Sequence, residues 1–250
     1  LPQIGVSGIA IDQNNSDIIY IATGDDDAGD SYSVGVWKSI NGGLSWTPTG
    51  LNPSNSPNRT SEIYINPNNS NMLWVATSNG VYKTINAGNN WTLSQSGNFR
   101  DLKVNPTNPN IIYASTSSQF YRSLDSGNTF TQISSGLPVD SGRLFMDVTQ
   151  ANSNYVYIVS ATTSYGYQGI YRSTDSGLTF TQMDNTTDIF DGVSQAWYDL
   201  AISASNTNQN EIYVGVLNIW KSSNGGNSFS QVNNWTSRNA SYTHADIHFI

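Results

Sequence analysis

The chain contains no cysteine among its 250 residues. Disulfides are therefore excluded, and cysteine usage says nothing about the redox compartment. Charge is scarce too. Asp, Glu, Lys and Arg make up 11% of the chain, against about 25% in an ordinary soluble domain. Asn, Ser and Thr take over the polar surface. Only ten residues are Lys or Arg, and the net charge is −8. Five of those ten, Lys38, Lys83, Arg122, Arg172 and Lys221, recur at one repeat position. No basic stripe is left to neutralise phosphates, which excludes nucleic acid as a partner. No run approaches the ~20 apolar residues that span a bilayer, and no signal peptide is visible. The expectation is a mature form or a trimmed piece.

What is abundant is repetition. SINGGLSW begins at Ser39, TINAGNNW at Thr84, SLDSGNTF at Ser123, STDSGLTF at Ser173 and SSNGGNSF at Ser222. The spacings are 45, 39, 50 and 49 residues. A period of roughly 40–50 residues made of short strands predicts a β-propeller with one repeat per four-stranded blade. Each copy follows an apolar, aromatic, basic, hydroxyl run such as Val36-Trp37-Lys38-Ser39, which alternates as a strand does. The Asn or Asp that comes next (Asn41, Asn86, Asp125, Asp175, Asn224) is expected to accept from the amide two residues on, as in an Asx-turn. A glycine two positions later (Gly43, Gly88, Gly127, Gly177, Gly226) suits a positive φ. Trp46, Trp91, Phe130, Phe180 and Phe229 then open the next strand and are large enough to anchor a blade core.

These five copies resemble the Asp-box, or bacterial neuraminidase repeat, of sialidases, sortilin-like propellers and xyloglucan-active glycoside hydrolases. The resemblance covers nearly the whole chain and implies a propeller fold. In those families the box is a structural turn away from the catalytic centre. Three of the copies carry Asn, which still makes the turn but is a poor ligand for a hard cation.

A second element precedes each box: a strand, an Asn/Pro-type turn and another strand, as in Ile63–Pro67 followed by Met72–Thr77. An aromatic recurs in the second of these strands as Tyr20, Trp74, Tyr113, Tyr157 and Tyr213. The blades are predicted at about 1–50, 51–97, 98–137, 138–185 and 186–235, within a single propeller region. Residues 236–250 then start a further blade, with Ile247 where Ile9 and Ile63 fall. Five blades and one orphan strand predict part of a larger propeller of roughly seven or more blades, or of a tandem of propellers. A closed five-blade ring is the alternative. Within an up-and-down blade the short connections share one end. The long segments Gly24–Gly35, Ser160–Gly169, Gly50–Arg59, Asp184–Gln195 and Asn233–Thr243 share the other. Loops on a rigid scaffold carry function, so a ligand site is expected at that end.

Several constellations there carry chemistry. Asp25, Asp26, Asp27 and Asp30 cluster four carboxylates, as a calcium loop would, although no EF-hand spacing is present. His244, Asp246 and His248 alternate, so a strand would set all three on one face as metal ligands. Glu62, Asp101, Asp199 and Asp246 align near the start of inner strands and form a candidate partial acidic ring. Tyr165, Tyr167, Phe190 and Trp197 are loop aromatics that could stack on sugar rings. By the resemblance to xyloglucan-active enzymes, Asp25 sits where a catalytic Asp follows an early second strand, but the glycines that follow the family's Asp are absent here. The family's second carboxylate comes from another propeller. A sialidase is disfavoured, because the Arg-Ile-Pro signature and an arginine cluster are missing.

The expectation is a secreted or surface-attached bacterial propeller module that binds glycan, or other protein segments of the same exoprotein, without catalysis of its own. It is similar to propellers of large Bacteroidetes exoproteins exported by type IX secretion. The rival expectation is one half of a xyloglucanase-like cleft. No cofactor is expected apart from calcium.

Overall fold

In the computed structural model, residues 5–25, 31–51, 59–183, 186–236, 244–248 and 250 are described. They form twenty strands and no α-helix. The first sheet consists of β1 (Val6–Ile11), β2 (Ile19–Thr23), β3 (Val36–Ser39) and β4 (Thr47–Pro48), and the second of β5 (Thr60–Asn66), β6 (Asn69–Thr77), β7 (Gly80–Thr84) and β8 (Thr92–Ser96). The third has β9 (Asp101–Val104), β10 (Ile112–Ser115), β11 (Phe120–Ser123) and β12 (Thr131–Ile133). The fourth has β13 (Arg143–Val148), β14 (Val156–Ala161), β15 (Tyr167–Ser173) and β16 (Thr181–Gln182). The fifth has β17 (Ala201–Ala204), β18 (Ile212–Gly215), β19 (Ile219–Ser222) and β20 (Ser230–Gln231). In every sheet the strands lie side by side in chain order, the up-and-down blade that the repeat predicts.

The chain divides into two compact units. One holds the first two sheets, the other the last two, and the third sheet contributes to both. In the first unit Ala10, Tyr20, Ala22, Ile63, Leu73 and Val75 pack into one apolar core. In the second, Tyr157, Val159, Ile170, Phe190, Leu200 and Val214 do the same.

The repeated corner joins the third and fourth strands of each sheet, and its hydrogen bonding explains its composition. The leading hydroxyl accepts the glycine amide four residues on, at 2.8–3.1 Å in all five copies. It also donates to the Asn or Asp side chain. That side chain accepts from the amide four residues on, not two as expected. Asp and Asn serve equally because the partner hydroxyl changes role. Asp125 and Asp175 accept from Thr129 and Thr179 at 2.7 Å. Asn41 and Asn224 instead donate to Ser45 and Ser228 at 2.8 and 2.9 Å. Burial pushes the Asp125 and Asp175 carboxyls up, but the donors from Thr129, Ser123 and Asn128, and from Thr179, Ser173 and Leu178, outweigh it and hold both at about 2. Positive φ is required at two consecutive positions, not one. Gly42, Ala87, Ser126, Ser176 and Gly225 (φ 57–73°) precede the predicted glycines.

Two of the recurring aromatics tie a corner to the preceding sheet. In the first unit the Tyr20 hydroxyl donates to the Ala87 carbonyl at 3.2 Å, and Trp74 Nε1 donates to the Ser126 carbonyl at 2.8 Å. In the second, the Tyr157 hydroxyl donates instead to the Gln209 carbonyl at 2.7 Å, in the turn between β17 and β18. Two repeat-position cations also reach corners. Lys83 Nζ donates to Asn128 Oδ1 at 2.9 Å, and Arg172 Nη1 to the Gly225 carbonyl at 3.2 Å.

Two sequence expectations shift. Tyr167 opens β15, so the expected loop Ser160–Gly169 shrinks to the five residues between Ala161 and Tyr167. Residues 244–248 form no strand. Asp246 has a φ of 71°, which breaks the alternation that would put His244, Asp246 and His248 on one face. Ile247 still lies against the fifth sheet, its amide donating to the Val216 carbonyl at 3.1 Å.

Candidate binding site at the inner-strand ends

In the second unit, β13 opens on Arg143 and β17 follows a long connection from β16. Within that connection, Asp188 accepts from the Phe190 and Gly192 amides at 2.9 and 3.1 Å. The amides of Tyr198 and Asp199 both return to the Gln195 carbonyl. Burial changes sharply within this single turn. Trp197 is 47% exposed, whereas Asp199 is fully buried.

The turn is held from below. Arg143, itself buried, donates from Nη1 to the Ala196 carbonyl at 2.9 Å and the Tyr198 carbonyl at 3.2 Å. Its guanidinium lies 5.4 Å from the Phe145 ring centre. The Trp197 and Tyr198 rings lie 5.4 Å apart, and Tyr198 meets the His248 ring edge-to-face at 4.8 Å. Both Asp199 carboxyl oxygens are buried with no hydrogen-bond partner. Burial pushes this carboxyl up to about 6, and the charge of Asp246 adds to the rise. Its own backbone amide, His248 and Arg143 pull the other way. An exposed indole, a half-buried phenol and a carboxyl with open acceptor sites thus stand together at the loop end of the sheets.

Of the four aromatics expected to contact ligand, Trp197 alone is exposed. Phe190 is fully buried and packs edge-on against Tyr167 at 5.2 Å, so both belong to the core of this unit. Tyr165 is half-buried on the same core, at a φ of 66° in a tight turn.

The metal expectations fare differently. His244 Nδ1 lies 4.0 Å from Asp246 Oδ2, but His248 turns to Tyr198. Among the described residues no three His, Asp or Glu side chains are arranged to hold an ion. Asp26, Asp27 and Asp30 lie outside the described residues. Asp25 is half-buried just beyond β2, its amide donating to the Ser31 carbonyl at 3.0 Å.

The acidic series is partly assembled. In the first unit Lys103 Nζ bridges Glu62 at 3.4 Å and Asp101 at 3.0 Å. Register places Ala201, not Asp199, level with them, because Ala201 pairs with Gly215 as Glu62 does with Ala76. Asp199 stands two residues before the strand. Sequence reading missed Arg143 and Tyr198. The usable signal was that Arg143 lies off the basic repeat position and opens an inner strand.

No family model matches the sequence, and no curated protein does. Solved structures do match. An ancestral GH74 enzyme is 21% identical with a TM-score of 0.72, covering 97% of this chain and 33% of its own. The GH74 xyloglucanase from Xanthomonas campestris is 12% identical with a TM-score of 0.65, covering 91% of this chain and 38% of its own. An auxiliary nutrient binding protein from Bacteroides thetaiotaomicron is 13% identical with a TM-score of 0.61, covering 98% of this chain and 62% of its own. The chain thus spans about a third of the length of the GH74 enzymes. Likeness at this level shows the fold, all-β with four-stranded propeller blades, and leaves function to the site.

Proposed function

We propose that the chain is a non-catalytic propeller module that binds glycan, with the Gln195–Asp199 turn as its seat. The observation that carries this reading is Trp197. It is the one exposed member of the expected aromatic set, and it sits beside Tyr198 on a turn anchored by buried Arg143. A flat aromatic face with polar groups around it suits a sugar ring, which has apolar C–H faces and a hydroxyl rim. Placement on a rigid scaffold limits the ordering cost of binding. The fold shared with a nutrient binding protein supports this reading. So does the low-charge, Asn- and Ser-rich surface, which fits secretion or display on a bacterial surface.

The test is a glycan array, followed by isothermal titration of the best oligosaccharide. Trp197→Ala is expected to weaken binding at least tenfold, about 1.4 kcal/mol, with thermal stability unchanged. Equal affinity in the variant would refute the seat.

A second reading draws on the likeness to two GH74 enzymes of which this chain spans only a third. In it the chain supplies part of a glycoside hydrolase cleft, with Asp25 as one carboxylate. Turnover of xyloglucan that is lost in Asp25→Ala would favour it. Binding without turnover favours the module.

A further inference from the structure

A buried carboxyl whose two oxygens both lack a donor is costly, since each open acceptor carries an unrecovered desolvation penalty. Asp199 is such a group. It follows Tyr198 directly and Trp197 by two residues, and its titratable and charged neighbours are Asp246, His248 and Arg143. Arg143 points its Nη1 at the carbonyls of Ala196 and Tyr198, holding the turn rather than capping the carboxyl through that nitrogen. His248 lies against the Tyr198 ring, and its segment is fixed through Ile247, seated on Gly215 and bonded to the Val216 carbonyl.

Resting on the glycan reading, we propose that Asp199 is the specificity-determining acceptor of the site. When a sugar stacks on Trp197, the side chains that cover the buried carboxyl open and a pair of adjacent ring hydroxyls donates to its two unpartnered oxygens. The preferred ligand is then a neutral glycan with a free vicinal diol, because carboxylates accept paired hydroxyl donors well and would repel an acidic sugar. The high proton affinity of the buried carboxyl agrees with this. Ligand donors favour the ionised form, so binding near pH 6 releases a proton.

The experiment is isothermal titration of the full chain with the tightest oligosaccharide from the array, in two buffers of different ionisation enthalpy at pH 6. Wild type, Trp197→Ala and Asp199→Asn are compared. Asp199→Asn keeps the shape and removes the charge. It is expected to bind about 10- to 100-fold more weakly, the range for one charged hydrogen bond. The proton release seen in wild type should vanish in this variant. A merely structural Asp199 would leave proton release unconnected to binding. If Trp197→Ala loses affinity while Asp199→Asn binds like wild type, the role of Asp199 is overturned and the seat stands. If wild type binds no oligosaccharide, both are overturned.

Discussion

Burial of Asp199 gives stability a definite dependence on pH. Its folded-state value of about 6 lies above the ordinary 3.8, so the native state holds this proton more tightly than the unfolded chain does. The associated stability is fully present below about pH 4 and is lost as pH rises through 6. The loss is on the order of 3 kcal/mol. Thermal melts of Asp199→Asn are expected to lack the decline between pH 4 and 7 and to give a higher Tm than wild type at pH 7.5. A wild-type-like decline in the variant would contradict the assignment. Asp125 and Asp175 act in the opposite direction. Held at about 2 by their corner donors, they contribute stability above pH 4 that disappears as pH falls through 2. Three corners already use Asn. Replacing both Asp with Asn should therefore preserve the fold and flatten the acid limb of the melting curve. An unchanged acid limb would mean that other carboxylates set it.

At the scale of the element, the corner and the aromatic of the preceding sheet act as one device. A methyl group on Gly127 would stand 2.7 Å from Trp74 Nε1, at a φ of 74° that side chains rarely adopt. Gly127→Ala is expected to cost about 1–3 kcal/mol. Trp74→Phe removes the donor to the Ser126 carbonyl and should cost about 1 kcal/mol from the lost hydrogen bond alone. Chemical denaturation measures both, and a neutral Gly127→Ala would show that the corner yields. The strands and corners were legible from sequence because Ser/Thr-x-Asn/Asp-x-Gly satisfies a local set of backbone amides, and local chemistry repeats wherever the letters do. The second left-handed residue was not legible, since Ala87, Ser126 and Ser176 occupy it under constraint from hydrogen bonds outside the corner. Ala87, for example, donates its amide to the Asn71 carbonyl.

For the whole molecule, the order of strands in each sheet puts the long connections at the end where the inner strands begin, and the candidate site is found there in the second unit. Its composition was only partly visible in the sequence. Trp197 was identified by type. Tyr167 and Phe190 were indistinguishable from it until packing showed them facing a core. Asp199 stands two residues out of the strand register that the sequence suggests, since Ala201 is the residue that pairs with Gly215. Arg143 reaches the site from another sheet across 53 residues of sequence, which no local pattern announces. The measurement that tests the account most directly is the affinity of wild type and Trp197→Ala for the same oligosaccharide, at matched thermal stability. The account predicts clear saturable binding by wild type and a loss of at least tenfold in the variant. Indistinguishable isotherms would contradict it.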